Sequence, residues 1–225
     1  MFGYKRDFAF VVSIAAAVLA TVIICICAAS CSGVKLDFKN AYYFICYRIA
    51  DNSISAGSIS DTVASYGGAG YVLYHENNYY VTVSCYYAEN EAKSVCAGLK
   101  KREFDCFVLE KKTESYKLKS SYAKKNAELY KGNLNTLNSL SRLAYDCANG
   151  LDTGLYGQSE AKEILGEIKK GIYGLCGFNT DNCFTRPLNE LKDICEEKSG
   201  GYVYAKNMRY LQIAIADRVI CAELY

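Results

Sequence analysis

Tryptophan is absent from this chain, and proline, histidine and methionine are nearly so: one Pro, one His and two Met in 225 residues. With a single histidine, His75, there is no obvious nucleophile–base arrangement, because a catalytic imidazole needs an oriented partner on each side. His75 follows Tyr74 beside Glu76-Asn77-Asn78, so it is expected at a solvated hairpin turn. Zinc-type spacing is also missing. Cys25 and Cys27 fall within an apolar run, and Cys176 and Cys183 have no histidine near. No glycine loop of the phosphate-binding kind follows a strand, since Gly67-Gly68-Ala69-Gly70 comes after a helical pattern and reads as a cap and turn. A strong charge of either sign is lacking too. The net charge of +2 argues against a nucleic-acid footprint, which needs clustered Lys and Arg. These absences leave no enzyme supported and no cofactor implied.

What is present is apolar and aromatic. Hydrophobic residues make up 51% and charged residues 22%, enough to build a core, and there are 21 tyrosines. Residues 8–30 carry no charge and are long enough to span a bilayer at ~1.5 Å per residue. The expectation is an uncleaved single-pass anchor behind a short cytoplasmic tail (residues 1–7). A cleaved signal peptide ending near Ala28-Ala29-Ser30 is the alternative. The twelve cysteines show no regular framework. Most stand at apolar positions of helices and strands and are read as buried free thiols, with Cys176–Cys183 the best disulfide candidate.

Residues 31–40 read as a juxtamembrane connector. Residues 41–112 then give strand, helix, strand, strand, helix, strand. YYFICYRI and YYVTVSCYY alternate in strand fashion. Between them, Ala56, Ile59, Val63 and Tyr66 recur at helical spacing, and Gly67 suits the left-handed position after the helix. A second helix carries Ala92, Val95, Cys96 and Leu99 on one face. Residues 113–126 read as a lysine-rich linker. Residues 127–225 read as four amphipathic helices in an antiparallel bundle, one of them with Pro187 in its first turn.

The 41–112 stretch resembles a SPOR domain, the peptidoglycan-binding module of bacterial division and sporulation proteins. Tyr43-Phe44-Ile45-Cys46 stands at the family's first-strand motif, and Tyr79-Tyr80-Val81-Thr82-Val83-Ser84 at its third-strand Tyr-x-Val-x-Val motif. Phe44 replaces the motif's glutamine, and Cys46 and Ser84 replace its glycines. The resemblance implies an α+β fold: a β-α-β-β-α-β unit with a four-stranded antiparallel sheet, here preceded by one transmembrane helix and followed by the bundle. It also implies that everything after the membrane span lies outside the cytoplasm of a bacterial cell.

In such a sheet the first and third strands are central and helices cover one face. Strict alternation places Tyr43, Ile45, Val81, Val83 and Cys85 under the helices. Tyr42, Phe44, Cys46, Arg48, Tyr80, Thr82, Ser84 and Tyr86 then form an open polar-aromatic face, suited to stacking on sugar rings and bonding their hydroxyls. The expected function is non-enzymatic binding of peptidoglycan glycan strands through those eight residues at sites of wall remodelling, in division or sporulation, with Arg48 meeting a carboxylate. The expected partners are the glycan, the membrane and a protein docking on the bundle. Two alternatives stand beside it: a structural or interaction module whose sheet is sealed by the bundle, and an RNA-binding module.

Overall fold

A computed structural model describes residues 34–118, 125–178 and 182–221. The elements run β1 (Val34–Ala50), α1 (Ser53–Ser65), β2 (Tyr71–His75), β3 (Asn78–Tyr86), α2 (Glu89–Lys100), β4 (Phe107–Leu118), α3 (Ala127–Thr153), α4 (Gln158–Phe178), α5 (Asn182–Lys198) and α6 (Ala205–Ile220). The strands form one antiparallel sheet in the order β2-β3-β1-β4, with the first and third strands central as the connectivity requires.

Local chemistry sets the element ends. The Asn52 side chain accepts from the Ser55 N–H at 2.9 Å and caps α1. Gly67, at φ +86°, lets the chain leave that helix in the left-handed region. β2 and β3 are joined by Glu76-Asn77, both at positive φ, the conformation whose twist matches a two-residue hairpin. His75 pairs with Asn78 beside that turn, where the sequence placed it.

Three expectations need correction. Residues 8–30 lie outside the described residues. Among the described residues no helix is long and apolar enough to cross a membrane; their fold class is α+β, a four-stranded antiparallel sheet with helices, and the transmembrane helix of the expected fold class is not among them. Second, the strands are longer than expected. β1 takes up residues read as a connector and β4 residues read as a linker, and the two pair from Val34↔Leu118 to Cys46↔Phe107. The cause is visible at Lys35-Leu36-Asp37-Phe38-Lys39, where charged residues point out while Leu36 and Phe38 are buried. Third, Pro187 sits inside α5 rather than in its first turn, because the helix begins at Asn182.

The sheet is covered on both faces. On one side α1 and α2 pack over Ile45, Val81 and Val83, with Ala56, Val63 and Cys96 completing the layer. On the other side lies the larger core. It joins Tyr42, Phe44, Cys46, Tyr71, Leu73, Tyr80 and Cys85 of the sheet to Leu134, Leu137 and Ala144 of α3 and to Met208, Leu211 and Ile215 of α6. α4 and α5 close the bundle through Leu165, Ile168, Ile172, Leu188 and Leu191. α6 is the centre of the molecule. Leu211 to Asp217 are all buried, as expected of a helix packed on every side, here between the sheet and the rest of the bundle.

Candidate functional site

The eight residues expected on an open face do not form one. Tyr42, Phe44, Cys46 and Thr82 have no exposed surface, and Ser84 and Tyr80 are 6% and 9% exposed. Tyr42, Phe44, Cys46 and Tyr80 belong to the core shared with the bundle. Thr82 spends its hydroxyl on the Tyr71 carbonyl, at 2.8 Å. The physical reason is plain: an aromatic face of this size is apolar enough to be buried, and α6 and α3 supply matching apolar surface in the same chain.

Two β-bulges move the remaining positions. Ile45 pairs with Ser84 but Cys46 with Thr82, which leaves Val83 as an extra residue on β3; the next shift leaves Tyr47 extra on β1. One extra residue inverts the alternation beyond it. Cys85, expected under α1 and α2, therefore faces the bundle core, whereas Tyr86, expected on the open face, packs beside Ile45, Cys96 and Cys106. Of the eight, Arg48 alone is exposed; its guanidinium lies 5.2 Å from the centroid of the Tyr47 ring.

Several polar groups along the sheet–bundle seam are paired, while the Gln212 side-chain oxygen is buried with no hydrogen-bond partner among the described residues. The Gln212 side-chain amide donates to the Cys85 carbonyl at 2.9 Å, and the Tyr71 hydroxyl to Asp217 at 2.8 Å. The Tyr87 hydroxyl donates to Ser141 Oγ at 2.7 Å, which in turn donates to the Gln212 carbonyl at 3.1 Å. Tyr42 donates to Asn138 at 3.1 Å and accepts from Asn40 at 2.8 Å. Burial pushes the Tyr42, Tyr71 and Tyr87 phenols well above their ordinary range; it also raises the thiols of Cys46 and Cys85, and moves Cys195 up to about 12 and Cys147 to about 11.

The sign follows from linkage. A group whose pKa is raised on folding stabilises fully below its unfolded value and loses that contribution as pH climbs past it. Thiols near ~8.5 and phenols near ~10 in the unfolded chain set the window. The urea midpoint is therefore expected to be flat near pH 7, to begin falling as pH passes about 8 and to fall steeply above about pH 9. A midpoint unchanged at pH 11 would contradict the burial of these groups.

Accessible clefts with polar and aromatic lining lie at the rim of the sheet, one of them where β1 and β4 meet α3. A cleft of about 450 Å³ at the end of α6 is lined by His75, Lys111, Asp217 and Cys221. Burial and the nearby Lys111 charge lower the His75 pKa, and burial lowers that of Lys111. Positive and negative groups are mixed there. A second cleft, of about 360 Å³, has more positive than negative groups: Lys39, Asn40, Tyr87, Lys112, Thr113, Glu114 and Arg142 line it.

In that second cleft the Arg142 guanidinium sits 4.2 Å from the centroid of the Tyr87 ring. Tyr87 is itself fixed by its bond to Ser141, so the cation rests on a held ring. Arg142 is exposed and, among the described residues, makes no ion pair, whereas Lys112 is paired with Glu110 at 2.6 Å. Thr113 also lines the cleft; its hydroxyl is buried and has no hydrogen-bond partner among the described residues. This arrangement can hold a carboxylate by paired N–H donors with amide and hydroxyl groups alongside. Sequence reading passed over Arg142 because nothing local marks it: Tyr87 and Ser141 meet only through tertiary packing.

No family model matches the chain, and no curated protein matches it. Among solved structures, the chain is weakly similar to the solution structure of the peptidoglycan binding domain of the B. subtilis cell wall lytic enzyme CwlC, at 20% identity over 32% of this chain and 90% of that one, with a TM-score of 0.28.

Proposed function

We propose that this chain is a non-enzymatic binding protein for carboxylated wall glycan of the peptidoglycan type, and that it holds its ligand at the rim cleft rather than on the sheet. The observation that carries the reading is Arg142: an exposed guanidinium held over Tyr87, with Lys39, Asn40 and Thr113 around the same cleft. Glycan strands stripped of their stem peptides carry free lactyl carboxylates beside hydroxyls and acetamido groups. A fork of N–H donors with amide and hydroxyl neighbours matches that chemistry. The strand and helix order, with its resemblance to SPOR domains, supports the same ligand class. On this reading the folded part works outside the cytoplasm, where wall glycan is found.

A second reading has its own support. The aromatic face is core, as in a structural module sealed by its own bundle. Co-sedimentation with amidase-treated sacculi separates the two. The parent chain is expected to pellet, and Arg142→Ala to bind roughly tenfold or more weaker, the scale of a lost charge-assisted hydrogen bond. Arg48→Ala should bind like the parent. Loss with Arg48→Ala and not with Arg142→Ala would move the site to the end of β1. A parent that stays in the supernatant would favour the sealed structural module.

A further inference from the structure

α2 ends in a tight return. The Arg102 N–H and Phe104 N–H both reach the Leu99 carbonyl, at 2.9 and 3.1 Å, and Glu103 stands at φ +63°. This return brings Cys106, just before β4, back beneath Cys96 of α2. Their sulfurs are 3.2 Å apart. Each thiol also approaches the other residue's carbonyl: Cys96 Sγ lies 3.4 Å from the Cys106 oxygen, and Cys106 Sγ 3.6 Å from the Cys96 oxygen. With Ile45 the two form the small core under α2. Helical spacing marks Cys96 as a core position only, and the disulfide candidate read from the sequence is Cys176–Cys183.

We propose that Cys96 and Cys106 are a paired dithiol site that closes to a disulfide on exposure to a small-molecule disulfide, tying the end of α2 to the start of β4. A bond of ~2.05 Å requires the sulfurs to approach by a little more than an ångström, within reach of side-chain rotation. Cys96 is 6% exposed and Cys106 is 1% exposed, so Cys96 takes the first step. Its sulfur attacks one sulfur of the oxidant and releases one small thiol, leaving a mixed disulfide. Cys106 then attacks the Cys96 sulfur and releases the second. Two protein thiols are oxidised to one disulfide, one small disulfide is reduced to two thiols, and the two thiol hydrogens end on the released molecules. In an oxidising compartment the closed form persists.

The test uses the full chain with excess oxidised glutathione, followed by alkylation and tryptic mapping. Cleavage at Lys93, Lys100, Arg102 and Lys111 leaves Cys96 and Cys106 alone on separate peptides, residues 94–100 and 103–111. The expected result is one species joining these two peptides as the main form of both, lost on reduction, with a Tm about 5 °C higher than that of the reduced chain. In Cys106→Ser, Cys96 should appear instead as a mixed disulfide with glutathione. The proposal is overturned if Cys96 and Cys106 are recovered capped separately, joined to other cysteines, or still free for alkylation while glutathione has reacted elsewhere.

Discussion

Replacing Phe44 by alanine is expected to cost about 3–5 kcal/mol of folding stability, the range for removing a buried aromatic ring. Phe44 has no exposed surface, pairs with Cys85 on β3 and Leu109 on β4, and belongs to the core shared with α3 and α6. Its ring is 6.2 Å from that of Tyr42, which is equally buried. A urea titration of the variant should show the midpoint falling with little change in slope. A side chain on an open ligand face would give a change within about 0.5 kcal/mol, so a small effect would show that the bundle does not seal the sheet.

Leu211→Asp is expected to be more severe still. Leu211 is fully buried in α6 and belongs to the core shared by the sheet and the bundle, and the substitution places a carboxylate among apolar side chains. Losses above about 4 kcal/mol come from such buried charges, and a domain has only ~5–15 kcal/mol to lose. Because α6 contributes to the same core as Tyr42, Phe44 and Tyr80, the sheet should be lost with the helices. Circular dichroism and limited proteolysis would read this directly. The expected outcome is loss of helical signal together with rapid cleavage within β1 and β3. Retention of a protease-resistant piece from Val34 to Leu118 would show that the β-α unit stands alone.

Much of the scaffold was legible because it depends on short-range pattern. The hairpin at Glu76-Asn77, the left-handed Gly67 and the central placement of β1 and β3 follow from turn chemistry and connectivity. Alternation was readable along β3 as far as Val83 and failed after it, because a bulge leaves no mark in single-residue hydrophobicity. The first half of β1 was missed although Lys35-Leu36-Asp37-Phe38-Lys39 alternates charged and apolar residues as a half-buried strand does; the run is short and follows the long apolar stretch, so it reads as a connector. The sealing of the sheet had a signal that helical periodicity on one face obscures. Leu211 to Ala216 is apolar at every position but Gln212, too continuous for a helix with one wet side. Gln212 and Asp217, the polar residues in and beside that run, bond the Cys85 carbonyl and the Tyr71 hydroxyl of the sheet. Arg142 depends on contacts between distant segments, so sequence spacing carried no trace of its role.

Native-state hydrogen exchange on the full chain tests the sealed sheet most directly. The amides of Phe44 and Thr82 and those from Leu211 to Ala216 lie on the two sides of one core. If that core is cooperative, all of them exchange through the same global opening, with the same free energy and the same dependence on denaturant. The contrary result would be α6 exchanging through a separate opening of lower free energy while Phe44 and Thr82 stay protected; the bundle would then lift from an intact sheet and leave its aromatic face open to a ligand.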